Sequence, residues 1–242
     1  MNKLVKTLLI PLALALPVRA LYASPWVNST LVGMEGYVEV EPGVYAAAAM
    51  SPAERQRALD GLHAARRRIA DAFGEPVARP VTILAPDTSA ARRFGLADGV
   101  PGTAFIAPLG TQVVLDMAVF SIDVTAHELT HAEIAQRLGF WTRMRKLPVW
   151  FDEGVAVQLD WREKYLVDCA AVGAARIDAV RSLDTAAAFW RGGRPEIVAH
   201  YQAAKCAAAG VLATHPPRTL YASLTRLREG AAFADVFGFG IK

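Results

Sequence analysis

The spacing of apolar residues along this chain changes character four times, and each change predicts a different kind of element. Residues 8–18 form an apolar run behind Lys3 and Lys6. Residues 26–45 are turn-rich with short β-like runs, and 52–73 reads as one helix with a basic face that includes Arg66, Arg67 and Arg68. Three short β-rich runs follow at 81–85, 103–107 and 111–115, separated by Gly/Pro turns such as Asp98-Gly99-Val100-Pro101-Gly102. Beyond Ser121 the spacing is mainly helical, including 195–214 and 217–228, each opened by a proline. There is no internal repeat and no low-complexity linker. The expected class is therefore α+β: a small mixed β-sheet with packed helices, then a mainly helical C-terminal subdomain, with a cleft between them.

One predicted helix carries the candidate chemistry. Over 121–138, Ser121 can act as N-cap, Asp123 sits in the first turn and Gly139 supplies the stop. Val124, His127, His131, Ile134 and Leu138 share one face, so two histidines fall in a stripe expected to be buried. In His127-Glu128-Leu129-Thr130-His131 the histidines stand at i and i+4, where both imidazoles can reach one metal ion, while Glu128 is turned slightly aside. Two neutral imidazoles leave Zn²⁺ most of its charge. The ion then lowers the pKa of a bound water toward about 7, and a nearby carboxylate can accept that proton. A catalytic zinc needs a third protein ligand and one open position.

The stretch Leu147-Pro148-Val149-Trp150-Phe151-Asp152-Glu153-Gly154-Val155-Ala156 offers that ligand. Pro148 disfavours a helix running up to it, Asp152 is a good N-cap, and Glu153 then falls in the first turn of a helix reaching about Asp160. Gly154 and Ala156 are small enough to let that helix approach a neighbour closely.

From residue 112 to 160 the chain resembles the gluzincin group of zinc peptidases, which includes thermolysin and related aminopeptidases. In that group a His-Glu-x-x-His helix is followed by a glutamate ligand on a second helix. The resemblance implies a zincin-like fold, His127, His131 and Glu153 as zinc ligands, and Glu128 as general base in hydrolysis of a peptide or protein substrate. It also implies a Tyr or His oxyanion donor on a later helix, where Tyr201 and His200 stand. Tyr165 is a weaker candidate, in a charged turn expected to be exposed. His200 also offers a three-histidine alternative to Glu153. Where thermolysin-like enzymes have an aspartate one turn after the glutamate ligand, this chain has Val157, so another acceptor must orient the histidines; Asp123, Asp152 and Asp160 are candidates. The metzincin pattern fails, because Ala132-Glu133-Ile134-Ala135-Gln136-Arg137 lacks its glycine and histidine. A di-iron bundle fails too, since only Glu128-Leu129-Thr130-His131 has the required spacing.

The first 23 residues read as a signal peptide or, if uncleaved, a membrane anchor, which places 24–242 outside the cytoplasm as a single metallopeptidase domain of the periplasm or the outer face of the membrane. Net charge +3 and a pI near 9.0 say nothing about nucleic acid by themselves, and no nucleic-acid partner is expected. Arg66, Arg67 and Arg68 are most simply a solvated face, with contact to an anionic membrane as the functional alternative. Cys169 and Cys206 are an even pair in an oxidising compartment and can form a disulfide or stay buried thiols. The competing functional class is a catalytically weak, zinc-containing envelope binding module; keeping Glu128 argues against it, since a structural zinc site has no use for that base. A metal-free helical interaction domain is the third.

Overall fold

The computed structural model describes residues 31–215 and 219–238. The expected signal segment and the proline opening the 217–228 helix lie outside the described residues. No helix among the described residues is long and apolar enough to cross a membrane.

In chain order the elements are β1 (Tyr37–Glu41), β2 (Val44–Ala47), α1 (Pro52–Phe73), β3 (Val81–Ala85), α2 (Thr88–Arg93), β4 (Gly102–Ala107), β5 (Gly110–Asp116), α3 (Ile122–Leu138), α4 (Phe140–Lys146), α5 (Val149–Ala156), α6 (Cys169–Val172), α7 (Ala174–Val180), α8 (Ala186–Phe189), α9 (Arg194–Thr214), α10 (Leu220–Arg228) and α11 (Phe233–Phe237). The architecture is α+β with a small mixed sheet in the order β1-β2-β3-β5-β4. The two parallel pairings are β2 with β3 and β3 with β5; β1 and β4 pair antiparallel at the two edges. The parallel central strands are almost wholly buried, with Ile83, Leu84, Val113, Val114 and Leu115 in the core, as expected for strands covered on both faces.

Helix α1 forms where the sequence places it because its start is over-determined. Ser51 and Glu54 make a reciprocal capping box and Pro52 occupies the first helical position. Its buried face, Leu62, Ala65, Ile69 and Phe73, packs toward α3. The basic face is not merely solvated: Arg68 donates to Asp123 Oδ1 at 2.6 Å and to the Leu159 carbonyl at 2.7 Å, and its guanidinium lies 3.7 Å from the Trp161 ring centre. That side chain clamps α1 to the first turn of α3 and to the segment following α5.

Helix α3 has the expected ends, with the Ser121 hydroxyl accepting from the Asp123 N–H and Gly139 closing it at φ +75°. It is buried on nearly every side rather than along one stripe, which its sequence tolerates because the buried threonines and Glu133 are satisfied. Thr125 and Thr130 donate back to the Ser121 and Ala126 carbonyls, and buried Glu133 accepts from the Val77 and Ala78 N–H groups and from Arg137. The edge strand β4 presses on α3 at Gly102, where an added Cβ would stand 2.8 Å from Val124 Cγ1 and 2.9 Å from a Leu115 methyl carbon.

Two expectations in the next stretch need correction. A short helix, α4, does precede Pro148; it ends at Lys146, leaving Leu147 extended as the residue before a proline requires. Helix α5 begins at Val149 with Pro148 as N-cap, so Asp152 is an interior residue rather than a cap, and Glu153 follows it one position deeper. The helix stops at Ala156 and tightens into a 3-10 turn, Val157–Leu159, that delivers Asp160. Gly154 does allow close packing: α5 lies against α9 so tightly that a Cβ there would sit 2.4 Å from the Ala204 carbonyl oxygen.

Candidate metal centre

Helices α3 and α5 meet with three side chains converging. His127, His131 and Glu153 are all buried and form the group among the described residues able to hold a metal ion. His131 Nε2 lies 3.1 Å from His127 Nε2, and Glu153 Oε2 lies 3.3 and 3.4 Å from those two nitrogens. For Zn²⁺ with ligands at about 2.0–2.1 Å, the edge of a regular coordination tetrahedron is about 3.3 Å. The three atoms therefore already stand at the corners of one tetrahedral face. Glu153 Oε2 is buried without a hydrogen-bond partner. Two imidazole lone pairs and a carboxylate oxygen aimed at one point repel unless a cation, either a proton or a metal ion, sits among them.

The electrostatics of the chain alone say the same thing. Burial penalises the charged form of His131, but the Glu153 and Asp152 carboxylates outweigh it and hold its pKa well above the usual histidine range. Burial likewise pushes Glu153 up, and the two histidines overcome it, holding the carboxyl well below its usual range. The pocket is thus built to keep an anionic glutamate against positive charge. A divalent ion supplies that charge without a proton.

The structure separates the three candidate acceptors behind the histidines. Asp152 Oδ1 lies 3.0 Å from His131 Nδ1. Asp160 Oδ2 faces His127 Nδ1 at 3.7 Å, beyond hydrogen-bond reach, and that buried nitrogen has no other partner. Asp123 is turned away to Arg68. Each of the two facing carboxylates is held in turn by an arginine, Arg143 on Asp152 and Arg162 on Asp160. Burial raises the pKa of both carboxyls, yet Arg143 with His131, and Arg162 with His127, bring each below its usual value. Val157 is buried among core residues.

Glu128 projects beside this group. Burial raises its pKa, against the opposing pull of His127 and His131 and a contribution from the Ala104 N–H on β4. Among the later candidates, Tyr201 is brought to the site and His200 is not. The Tyr201 ring centre is 6.0 Å from that of His127, and its oxygen accepts from Trp190 Nε1 at 3.1 Å, leaving the phenolic proton free to donate. Burial first, and then Glu153, hold the Tyr201 hydroxyl well above its usual pKa, so it stays protonated. His200 instead places Nδ1 2.7 Å from the Phe189 carbonyl and packs on the Phe189 ring, outside the three-residue group. Tyr165 is buried rather than exposed: Lys205 and Gln202 of α9 fasten its backbone and that of Lys164, and its ring packs 5.4 Å from Tyr201. Burial, only partly offset by Arg162, pushes its hydroxyl up to about 12.

Nothing in the sequence singles out Arg143, Arg162 or Trp190, whose partners lie on other elements or across a turn. Of the two states the sequence leaves open for Cys169 and Cys206, the structure has the disulfide, which ties α6 to α9. No protein-family model, curated protein or solved structure matches this chain.

Proposed function

We propose that this chain is a zinc-dependent peptide-bond hydrolase of zincin-like build, in which His127, His131 and Glu153 hold the metal. The observation that carries the reading is the spacing of the three ligand atoms, 3.1 to 3.4 Å on every edge, around a point faced by an otherwise unpartnered carboxylate oxygen. A Zn²⁺ ion held there would supply Lewis acidity, lowering the pKa of a water toward about 7 and polarising the scissile carbonyl. Glu128 takes the proton from the attacking water and delivers it to the leaving amine, a role matched by its raised pKa and its place beside both histidines. Tyr201 donates its free phenolic proton to the developing oxyanion, with Trp190 fixing the ring. His200 is committed to the Phe189 carbonyl, which favours Tyr201 for this task.

The resemblance to the gluzincins over residues 112–160 supports the same assignment: a His-Glu-x-x-His helix followed by a glutamate on a second helix, here α5. An exported location, on the periplasmic or outer face of a membrane, is supported by the apolar run at 8–18 and by the disulfide between Cys169 and Cys206, since such bonds persist in oxidising compartments. The competing reading, a zinc-containing binding module, predicts the metal without the chemistry.

Elemental analysis and peptide cleavage decide between them. The protein should carry one zinc per chain, lost in His127→Ala and in His131→Ala. Glu128→Gln should keep zinc and fold while losing nearly all cleavage, and Tyr201→Phe should keep zinc while turnover drops about a hundredfold. Zinc retained in both histidine variants sinks the site. Zinc without cleavage of any peptide or casein-like substrate transfers the case to the binding module. Collapse of zinc affinity in His200→Ala with survival in Glu153→Ala would replace Glu153 by a third histidine.

A further inference from the structure

His131 is gripped from behind by a chain of contacts that begins on a different helix. Asp152 uses one carboxylate oxygen to meet His131 Nδ1 at 3.0 Å and the other to accept from Arg143 Nη2. Both Asp152 and His131 are buried, and Arg143 is only one-fifth exposed. Arg143 belongs to α4, whose position is itself set by the metal helix. Gly139 at φ +75° ends α3 and starts α4, and its carbonyl accepts the Arg143 N–H at 3.0 Å. At its other end α4 is pinned by Lys146, which reaches the Leu227 and Ala231 carbonyls. The path from His131 along α3, round Gly139, through Arg143 and back by Asp152 is therefore closed. The same carboxylate-bearing helix also carries Glu153, so Arg143 ties α5 to α4 while Asp152 ties it to α3 at the level of the ligands.

The second arginine–aspartate pair offers an internal comparison. Arg162 grips Asp160 through Nε and Nη2, but Asp160 stops 3.7 Å short of His127 Nδ1, which remains unpartnered. One histidine is held by a hydrogen bond to an anchored carboxylate and the other is not.

We propose that Arg143 is a positioning residue for the metal centre, acting through Asp152 to fix the ring orientation of His131 and the seat of α5. A carboxylate on Nδ1 makes that nitrogen the donor and leaves the Nε2 lone pair for the ion. A carboxylate buried with a single imidazole and no counter-charge would be free to rotate or draw in water; Arg143 removes that freedom. Its side chain meets Asp152 and is not one of the three groups converging on the site. This inference rests on the zinc assignment above and adds a residue that no local pattern marks.

The test is zinc affinity of the full-length protein by competition with a chromophoric chelator, together with the visible spectrum of the cobalt-substituted form. Arg143→Ala should bind zinc about 10- to 100-fold more weakly, as is usual when an outer partner of a ligating histidine is removed, and its cobalt bands should shift. Arg143→Lys, which keeps a charge but not the fork, should recover most of the affinity. Asp152→Asn should lose as much as Arg143→Ala, and the double variant no more than Asp152→Asn alone. Arg162→Ala should lose distinctly less, because its aspartate does not reach His127. Wild-type affinity and an unchanged cobalt spectrum in Arg143→Ala overturn the proposal, as does full additivity in the double variant. Should Arg143→Ala fail to fold, Asp152→Asn decides: wild-type zinc affinity and spectrum there overturn it equally. If the wild type itself binds no zinc, the metal assignment falls first; if it binds and the Arg143 variants match it, only the positioning role falls.

Discussion

Replacing Gly154 by alanine sets two effects of opposite sign against each other, and the geometry decides which wins. Glycine in a helix interior costs about 1 kcal/mol relative to alanine, so propensity alone favours the substitution. The added Cβ, however, would stand 2.4 Å from the Ala204 carbonyl oxygen, 3.0 Å from its carbonyl carbon and 2.8 Å from the Ala208 Cβ. An ordinary carbon–oxygen contact is about 3.3 Å, so α5 and α9 must part by roughly 1 Å. The obstacle is backbone, which cannot swing away as a side-chain tip would. Overpacking of this kind costs about 1–3 kcal/mol or more, and with backbone as the obstacle the upper part of that range applies, so the propensity gain is reversed and the net loss is up to about 2 kcal/mol. The more telling effect is on the neighbouring residue. Glu153 precedes Gly154 on the same helix, and metal–ligand distances tolerate only about 0.2 Å, so a helix displaced several times that far should bind zinc at least tenfold more weakly. Gly210, in α9, is the control: it is exposed, and a Cβ there meets nothing within 4 Å. Gly210→Ala should therefore stabilise the fold by up to about 1 kcal/mol and leave zinc affinity alone. Urea unfolding of the metal-free and zinc-loaded forms, with chelator competition, measures both quantities. A Gly154→Ala protein as stable as wild type, with unchanged zinc affinity, would refute the reasoning.

Three further outcomes follow from other parts of the structure. Reducing the bond between Cys169 and Cys206, 37 positions apart, should lower unfolding free energy by up to about 4 kcal/mol from regained denatured-state entropy; equal urea midpoints with and without reductant would contradict this. Glu133→Ala should cost about 2–3 kcal/mol, because the buried Ala78 N–H loses its acceptor and Arg137 its partner, and a thermal midpoint within a degree of wild type would contradict it. Stripping the metal with a chelator should lower the thermal midpoint, and restoring zinc at a thousand times its Kd should return about 4 kcal/mol; a midpoint indifferent to zinc counts against the site.

The parts of this fold that were legible in sequence are those whose ends are fixed locally. Ser51, Pro52 and Glu54 announce α1 by their own hydrogen bonds, and Ser121 and Gly139 do the same for α3. The strands at 81–85, 102–107 and 110–116 match their apolar runs to within a residue because Pro86, Pro101 and Pro108 mark their ends, whereas helix α2 between the first two has no comparable signal. The start of α5 was misread for an instructive reason. Asp152 has strong cap chemistry, but its oxygens are claimed by His131 and Arg143, and Pro148, with φ already fixed, opens the helix one turn earlier, its carbonyl taking the Asp152 N–H. Tyr165 was placed in solvent because its neighbours Arg162, Glu163 and Lys164 are charged. The fold turns those charges outward or onto Asp160 and the tyrosine inward against Tyr201.

A site of this kind divides into what a helix can specify by itself and what only a tertiary structure can. The two histidines and Glu128 belong to one helix, so periodicity alone puts them together. Glu153 needs a second helix, and its approach depends on Gly154 fitting beneath a carbonyl of a third. The carboxylates behind the histidines are further removed still. Asp123, Asp152 and Asp160 are equivalent on paper, and the difference between them is made by three arginines, one on a distant helix, one on the preceding helix and one across a turn: Arg68 draws Asp123 off, Arg143 sets Asp152 against His131, and Arg162 holds Asp160 just short of His127. None of the three arginines lies in the motif. Together they decide which carboxylate stands behind which histidine, so the surroundings of the candidate centre are a property of the packed fold around the motif rather than of the motif.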